Sequence, residues 1–79
     1  MTHEVKLPPL GDDAPDAAEV SFWYVQEGEQ VAEGQELVEM ITDKAAFTVP
    51  SPVKGVLKRI LVEEGSSAKV GEALAIIEL

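Results

Sequence analysis

The sequence predicts an all-β chain: a flattened β-barrel or sandwich of two antiparallel sheets, built from two similar halves related by a pseudo-two-fold axis. Three observations carry that expectation. No segment keeps apolar residues at helical spacing over three turns, short β-branched and aromatic runs recur between glycine-bearing turns, and the chain repeats itself.

The first expected strand is residues 4–7, where Val5 and Leu7 alternate with Glu4 and Lys6. Residues 19–26 form the second, dense in Val20, Phe22, Trp23, Tyr24 and Val25, after a turn-rich stretch from Gly11 to Ala18. Gly28 and Gly34 mark the loop before the third, residues 36–42. Asp43-Lys44 then separates it from a fourth at 46–49, which Pro50-Ser51-Pro52 closes. Residues 55–62 and 73–78 complete the set, separated by the Gly65 and Gly71 loop. Trp23, Val25, Val38, Met40, Leu57, Leu61, Leu74 and Ile76 are the expected core.

The repeat is the most informative of the three. Val25-Gln26-Glu27-Gly28 through Gly34 to Leu37 matches Val62-Glu63-Glu64-Gly65 through Gly71 to Leu74, each position 37 residues on. A second match, Val5-Lys6-Leu7-Pro8 with Phe47-Thr48-Val49-Pro50, has an offset of 42. On this alignment the first half carries five extra residues, most naturally in the stretch beginning at Gly11. Surplus loop length is where function tends to sit, although lengthening a surface loop costs little. Two half-units too small to bury their own apolar faces would share a core, with the Asp43-Lys44 hairpin at one end and the termini meeting at the other.

Composition narrows the function. A chain of 79 residues supports one domain, spanning 1–79, and leaves no room for a two-domain enzyme. The absence of cysteine excludes disulfides, thiolate metal sites and a thiol nucleophile. A net charge of −9 argues against nucleic acid and anionic membrane surfaces, while basic protein partners fit it. No apolar run approaches the roughly 20 residues that span a bilayer, and the start Met-Thr-His-Glu is unlike a signal peptide. A soluble chain of the cytoplasm, or of the mitochondrial matrix in a eukaryote, is expected. The single histidine, His3, falls in an N-terminal segment expected to fray. The carboxylates Asp12, Asp13, Asp16, Glu27, Glu29, Glu33, Glu63 and Glu64 sit in or beside turns and read as solvated surface without calcium-ligand spacing. The residues therefore point to a non-catalytic domain.

That leaves the stretch from Glu39 to Phe47, two apolar strands flanking a tight turn centred on Asp43-Lys44. Neither strand should cover the lysine, so its ammonium stands out from the end of the molecule. On spacing alone this is an exposed lysine on a hairpin and nothing more.

Asp43-Lys44-Ala45 after an apolar strand, followed by Val49-Pro50-Ser51-Pro52 and Gly55, resembles the lipoyl-attachment signature of dihydrolipoamide acyltransferases from 2-oxo acid dehydrogenase complexes. Leu7-Pro8-Pro9-Leu10-Gly11, Trp23-Tyr24-Val25, Gly28, Glu64-Gly65 and Val70-Gly71 extend the likeness over nearly the whole chain. The resemblance implies the barrel-sandwich hybrid fold and a carrier rather than a catalyst. Lys44 would hold lipoic acid as N6-lipoyl-lysine, with Asp43 and Ala45 completing the attachment motif. This swinging arm would accept an acyl group from a thiamin-diphosphate-dependent 2-oxo acid decarboxylase and deliver it to an acyltransferase catalytic domain for transfer to coenzyme A. Dihydrolipoamide dehydrogenase would reoxidise it, and a lipoate ligase or an octanoyl or lipoyl transferase would install it. The isolated domain is expected to be a monomer. Many relatives carry Gly-Glu-Gly after the first strand, where this chain has Gly11 followed by Asp12, Asp13, Ala14, Pro15 and Asp16. The resemblance places that loop beside the hairpin, so Gly11, Asp12, Asp13 and Asp16 are candidate partner-recognition residues.

Two other readings fit the same fold. A biotinyl carrier domain shares the hairpin lysine but typically flanks it with methionines, where this chain has Asp43 and Ala45. An unmodified adaptor sandwich needs no lysine at the tip. A glycine-cleavage hydrogen carrier also bears lipoyl-lysine, but is longer and adds helices.

Overall fold

The computed structural model describes residues 1–11 and 15–79. Among the described residues, eight strands form two antiparallel four-stranded sheets: β1 (Thr2–Lys6), β2 (Ala17–Trp23), β3 (Gln30–Val31), β4 (Glu36–Ile41), β5 (Ala46–Pro50), β6 (Gly55–Ile60), β7 (Ser67–Lys69) and β8 (Ala73–Glu78). One sheet runs β1-β8-β6-β3 and the other β5-β4-β2-β7. Each mixes strands from both halves. All six expected strands are present. Their ends differ by up to three residues, and β1 starts early enough to take in His3, paired with Ile77. The two short strands β3 and β7 were not expected; at two and three residues they are too brief for alternation to register.

The pseudo-symmetry holds in detail. Ser21 in β2 and Lys58 in β6, 37 apart, are extra residues where the register shifts against β4 and β8. Glu64 Oε2 accepts from the Trp23 amide at 3.0 Å, and Glu27 Oε2 from the Ile60 amide at 2.8 Å, the same latch in each half. The turns are matched too. Gly28 and Gly65 have φ of +95° and +88°, a region costly to any residue with a Cβ, and their amides donate to the Leu57 and Val20 carbonyls.

The expected offset of 42 is wrong. Val5 pairs with Ala75 as Val49 pairs with Val38, and every other β1–β8 partner pair has its β5–β4 counterpart at the same shift of 44. Leu7 is thus equivalent to Ser51, not to Val49. The Pro8 and Pro50 likeness misled because proline marks a strand's end without fixing which residue ends it. With 44 before the loop and 37 after it, the surplus is seven residues rather than five.

Bulges also explain two errors in the expected core. Trp23, Val25, Val38, Met40, Leu57 and Leu74 are buried as expected, but Leu61 is 43% exposed and Ile76 only half-buried. An extra residue in a strand shifts the alternation by one. At Lys58 it turns both Lys58 and Arg59 outward, so the phase that buries Leu57 no longer buries Leu61. In β8 the shift opposite Val5 and Lys6 turns Leu74 and Ala75 inward together, so Ile77 takes the core place expected of Ile76. Val5, Leu7, Val20, Leu37 and Val49 are among the larger of the other core residues, and the Trp23 indole satisfies its buried N–H by donating to the Val62 carbonyl at 2.9 Å.

Candidate functional site

The hairpin between β4 and β5 is built by Thr42, a residue that the sequence reading passed over. Its amide donates to the Ala45 carbonyl at 2.8 Å, closing the turn. Its Oγ1 accepts from the Lys44 and Ala45 amides, both at 3.2 Å, and donates to the Ala45 carbonyl at 3.3 Å. One hydroxyl therefore satisfies backbone groups that a two-residue tip would leave to water. The signal was legible: threonine just before a polar turn is a turn-former as well as a strand residue.

Asp43, Lys44 and Ala45 are all exposed at the tip. Among the described residues the ion pairs lie elsewhere, joining Met1 to Glu78, Lys6 to Glu4 and Lys58 to Glu78. The structure thus presents a primary amine on a backbone fixed by hydrogen bonds, with the side chain projecting into solvent.

The β1–β2 connection comes alongside. Pro8, Pro9, Leu10 and Pro15 face Thr42, Lys44, Ala45 and Phe47 across a mainly apolar hollow of about 390 Å³. Pro15 also borders a second hollow, of about 490 Å³, that includes Ile41 and Asp43. Of the four candidate recognition residues, Gly11 is exposed with φ +120°. Asp16 is exposed as well, its carbonyl accepting from the Val70 amide at 2.8 Å. Asp12 and Asp13 lie outside the described residues.

The acidic turn residues are not all mere solvated surface. Besides Glu27 and Glu64, Glu29 accepts from the Gln26 amide at 2.7 Å. Away from the hairpin the halves also differ on an outer face. Phe22 and Tyr24 form an exposed edge-to-face pair, centroids 5.3 Å apart, where the second half has Arg59 and Leu61. Partial desolvation and the carboxylates of Glu39 and Glu36 raise the Tyr24 phenol above its ordinary range.

Comparison with known proteins agrees with this geometry. The family model described as "Biotin-requiring enzyme", covering biotin and lipoyl attachment, matches residues 3–77. The chain is 41% identical over 78 residues to the dihydrolipoyllysine-residue succinyltransferase component of the 2-oxoglutarate dehydrogenase complex of Bartonella vinsonii subsp. berkhoffii, covering 99% of this chain and 19% of that protein. It is 35% identical over 78 residues to the dihydrolipoyllysine-residue acetyltransferase component of the pyruvate dehydrogenase complex of Staphylococcus aureus, covering 99% and 18%. The chain spans about a fifth of the length of these relatives. Among solved structures, the lipoyl domain of the 2-oxoglutarate dehydrogenase complex from Azotobacter vinelandii superposes with a TM-score of 0.72 at 25% identity, over 95% of this chain and 96% of that one. The urea carboxylase of Kluyveromyces lactis shares the fold, with a TM-score of 0.82 at 15% identity over 99% of this chain and 6% of that one. The chain therefore belongs to the biotin- and lipoyl-attachment family, with the fold of a lipoyl domain and the sequence likeness of acyltransferase components.

Proposed function

We propose that this chain is a carrier domain whose Lys44 holds lipoic acid in amide linkage. The observation that carries the reading is Lys44 itself: an exposed amine at the apex of a hairpin pinned by Thr42, flanked by Asp43 and Ala45 rather than by methionines. When bound, the lipoyl group supplies a dithiolane that takes up an acyl group by reductive acylation and gives it up to coenzyme A. The chain's own work is to display and to tether. A rigid tip holds the amine where a ligase can reach it, and attachment keeps the reacting group at high effective concentration beside each successive active site. The partners are those of a 2-oxo acid dehydrogenase complex, in the cytoplasm or the mitochondrial matrix: a thiamin-diphosphate-dependent decarboxylase, an acyltransferase catalytic domain and dihydrolipoamide dehydrogenase.

Intact-mass measurement on the chain, produced in cells with both lipoylation and biotinylation machinery, tests this. A lipoyl increment that Lys44→Arg abolishes is expected. A biotinyl increment, or none, overturns it.

Selectivity between complexes is assigned to the β1–β2 connection, because a lipoyl group carries no label of its parent complex. Gly11, Asp12, Asp13 and Asp16 would meet basic residues around a decarboxylase entrance, where complementary charge raises encounter rate and selectivity. Changing the three aspartates to asparagine should slow reductive acylation by the cognate decarboxylase, more at low salt than at high, and leave lipoylation nearly unchanged. Wild-type reductive acylation at both salt levels would remove this role.

A further inference from the structure

We propose that the hollow beside Lys44 is a parking site for the lipoylated side chain, which folds back onto the domain between visits to its partner enzymes. This rests on the carrier reading and adds a resting place to it. One wall is Pro8, Pro9, Leu10 and Pro15; the other is Ala45 and Phe47, with Lys44 at the rim. Leu10 and Phe47 are anchored, since both pack against the core cluster while keeping part of their surface toward the hollow. Proline fixes φ, so the Pro8-Pro9 wall needs little ordering when something settles on it.

The occupant follows from the chemistry of attachment. As a free ammonium, the Lys44 side chain keeps its head in water. Amide formation removes that charge and continues the lysine methylenes into a further aliphatic chain ending in a dithiolane ring. The result is a neutral, largely apolar arm whose root already lines an apolar hollow. At about 390 Å³ the hollow falls within the ~300–1,000 Å³ of small-molecule sites. The tether holds the arm at an effective concentration in the millimolar range, so a site with an affinity on the order of 1 mM is about half filled. Such weak retention suits an arm that must leave again. The same hollow has no hold on the unmodified lysine, so attachment itself switches parking on.

Lipoylating the full chain with a lipoate ligase and recording NMR spectra before and after tests the proposal, with intact mass confirming the modification first. In the lipoylated chain, nuclear Overhauser contacts are expected from the arm's methylene and ring protons to Leu10 and Phe47, with order parameters along the arm, averaged over parked and free states, above those of a chain whose hollow is spoiled. Leu10→Ser, in a chain whose spectrum stays dispersed, should abolish those contacts and lower the arm's order parameters from their wild-type values. If that variant unfolds, the wild-type contacts decide alone. A chain that gains the lipoyl mass but shows arm contacts only to residues 43–45 overturns the parking site and leaves the carrier reading standing. A chain that gains no lipoyl mass overturns both.

Discussion

At Lys44 position matters more than composition. Successive strand residues face opposite ways, and the Thr42 hydroxyl fixes which of the tip residues stands at the apex. Exchanging Lys44 with Asp43 or with Ala45 keeps the same atoms yet redirects the amine. Both exchanges should sharply reduce lipoylation measured by mass while circular dichroism stays unchanged, and normal modification of both would show that the ligase ignores hairpin geometry. Thr42→Val keeps shape but removes the acceptor for two amides. The three hydroxyl bonds lost are solvent-exposed, so water replaces much of them and together they are worth about 1 kcal/mol net. The variant should therefore lose about 4–8 °C in Tm, and be lipoylated more slowly because its tip is looser. An unchanged Tm would mean that the closing Thr42–Ala45 backbone bond holds the turn alone.

At the scale of strands, the bulges decide which side chains count. Leu74→Ala removes a fully buried side chain and should cost about 2–5 kcal/mol, whereas Leu61→Ala should stay within about 0.5 kcal/mol, since its side chain is largely outside the core. Thermal or urea unfolding of the pair checks the phase shift at Lys58 directly, and a large loss at Leu61 would contradict it. These bulges also mark the limit of what the sequence discloses. The six longer strands, the turn positions and the hairpin lysine were legible, because glycine, proline and β-branched runs act locally. The inward face of β6 and β8 was not, because a register shift depends on the strand opposite. Thr42 lay between the two cases: its residue type was a signal, but its three hydrogen bonds exist only once the turn has closed. The 42-residue offset failed for the same reason as the bulges, since it matched residue types where only partner pairing tells equivalent positions.

For the molecule as a whole, the halves interleave: each sheet takes two strands from each half, so neither half can complete a sheet alone. Closing such non-local pairings costs chain entropy before any packing is gained. A peptide of residues 1–41 or 46–79 should therefore lack strand signal in circular dichroism by itself. A folded half would show that the repeat unit is self-sufficient. Symmetry also isolates what it does not explain. The seven surplus residues and the Phe22–Tyr24 pair have no counterpart in the second half, and the surplus falls in the connection that flanks the Lys44 hairpin.

The Leu79 amide donates to the Met1 carbonyl at 2.8 Å, as the Thr42 amide donates to the Ala45 carbonyl at 2.8 Å. Leu79 stands 37 residues after Thr42 and Met1 stands 44 before Ala45, so the meeting termini form an unjoined copy of the hairpin. Two residues would join it. A circular permutant opened at the exposed turn around Glu33, with Leu79→Thr, Met1→Ala and Asp-Lys inserted between them, would carry a second Thr-Asp-Lys-Ala display point at the far end of the same scaffold. Beside that point stands the short connection 51–54, where the first half has the long one. The permutant thereby separates address from scaffold: a ligase that reads only the hairpin adds two lipoyl groups per chain, and one that also reads the neighbouring loop adds one, at Lys44.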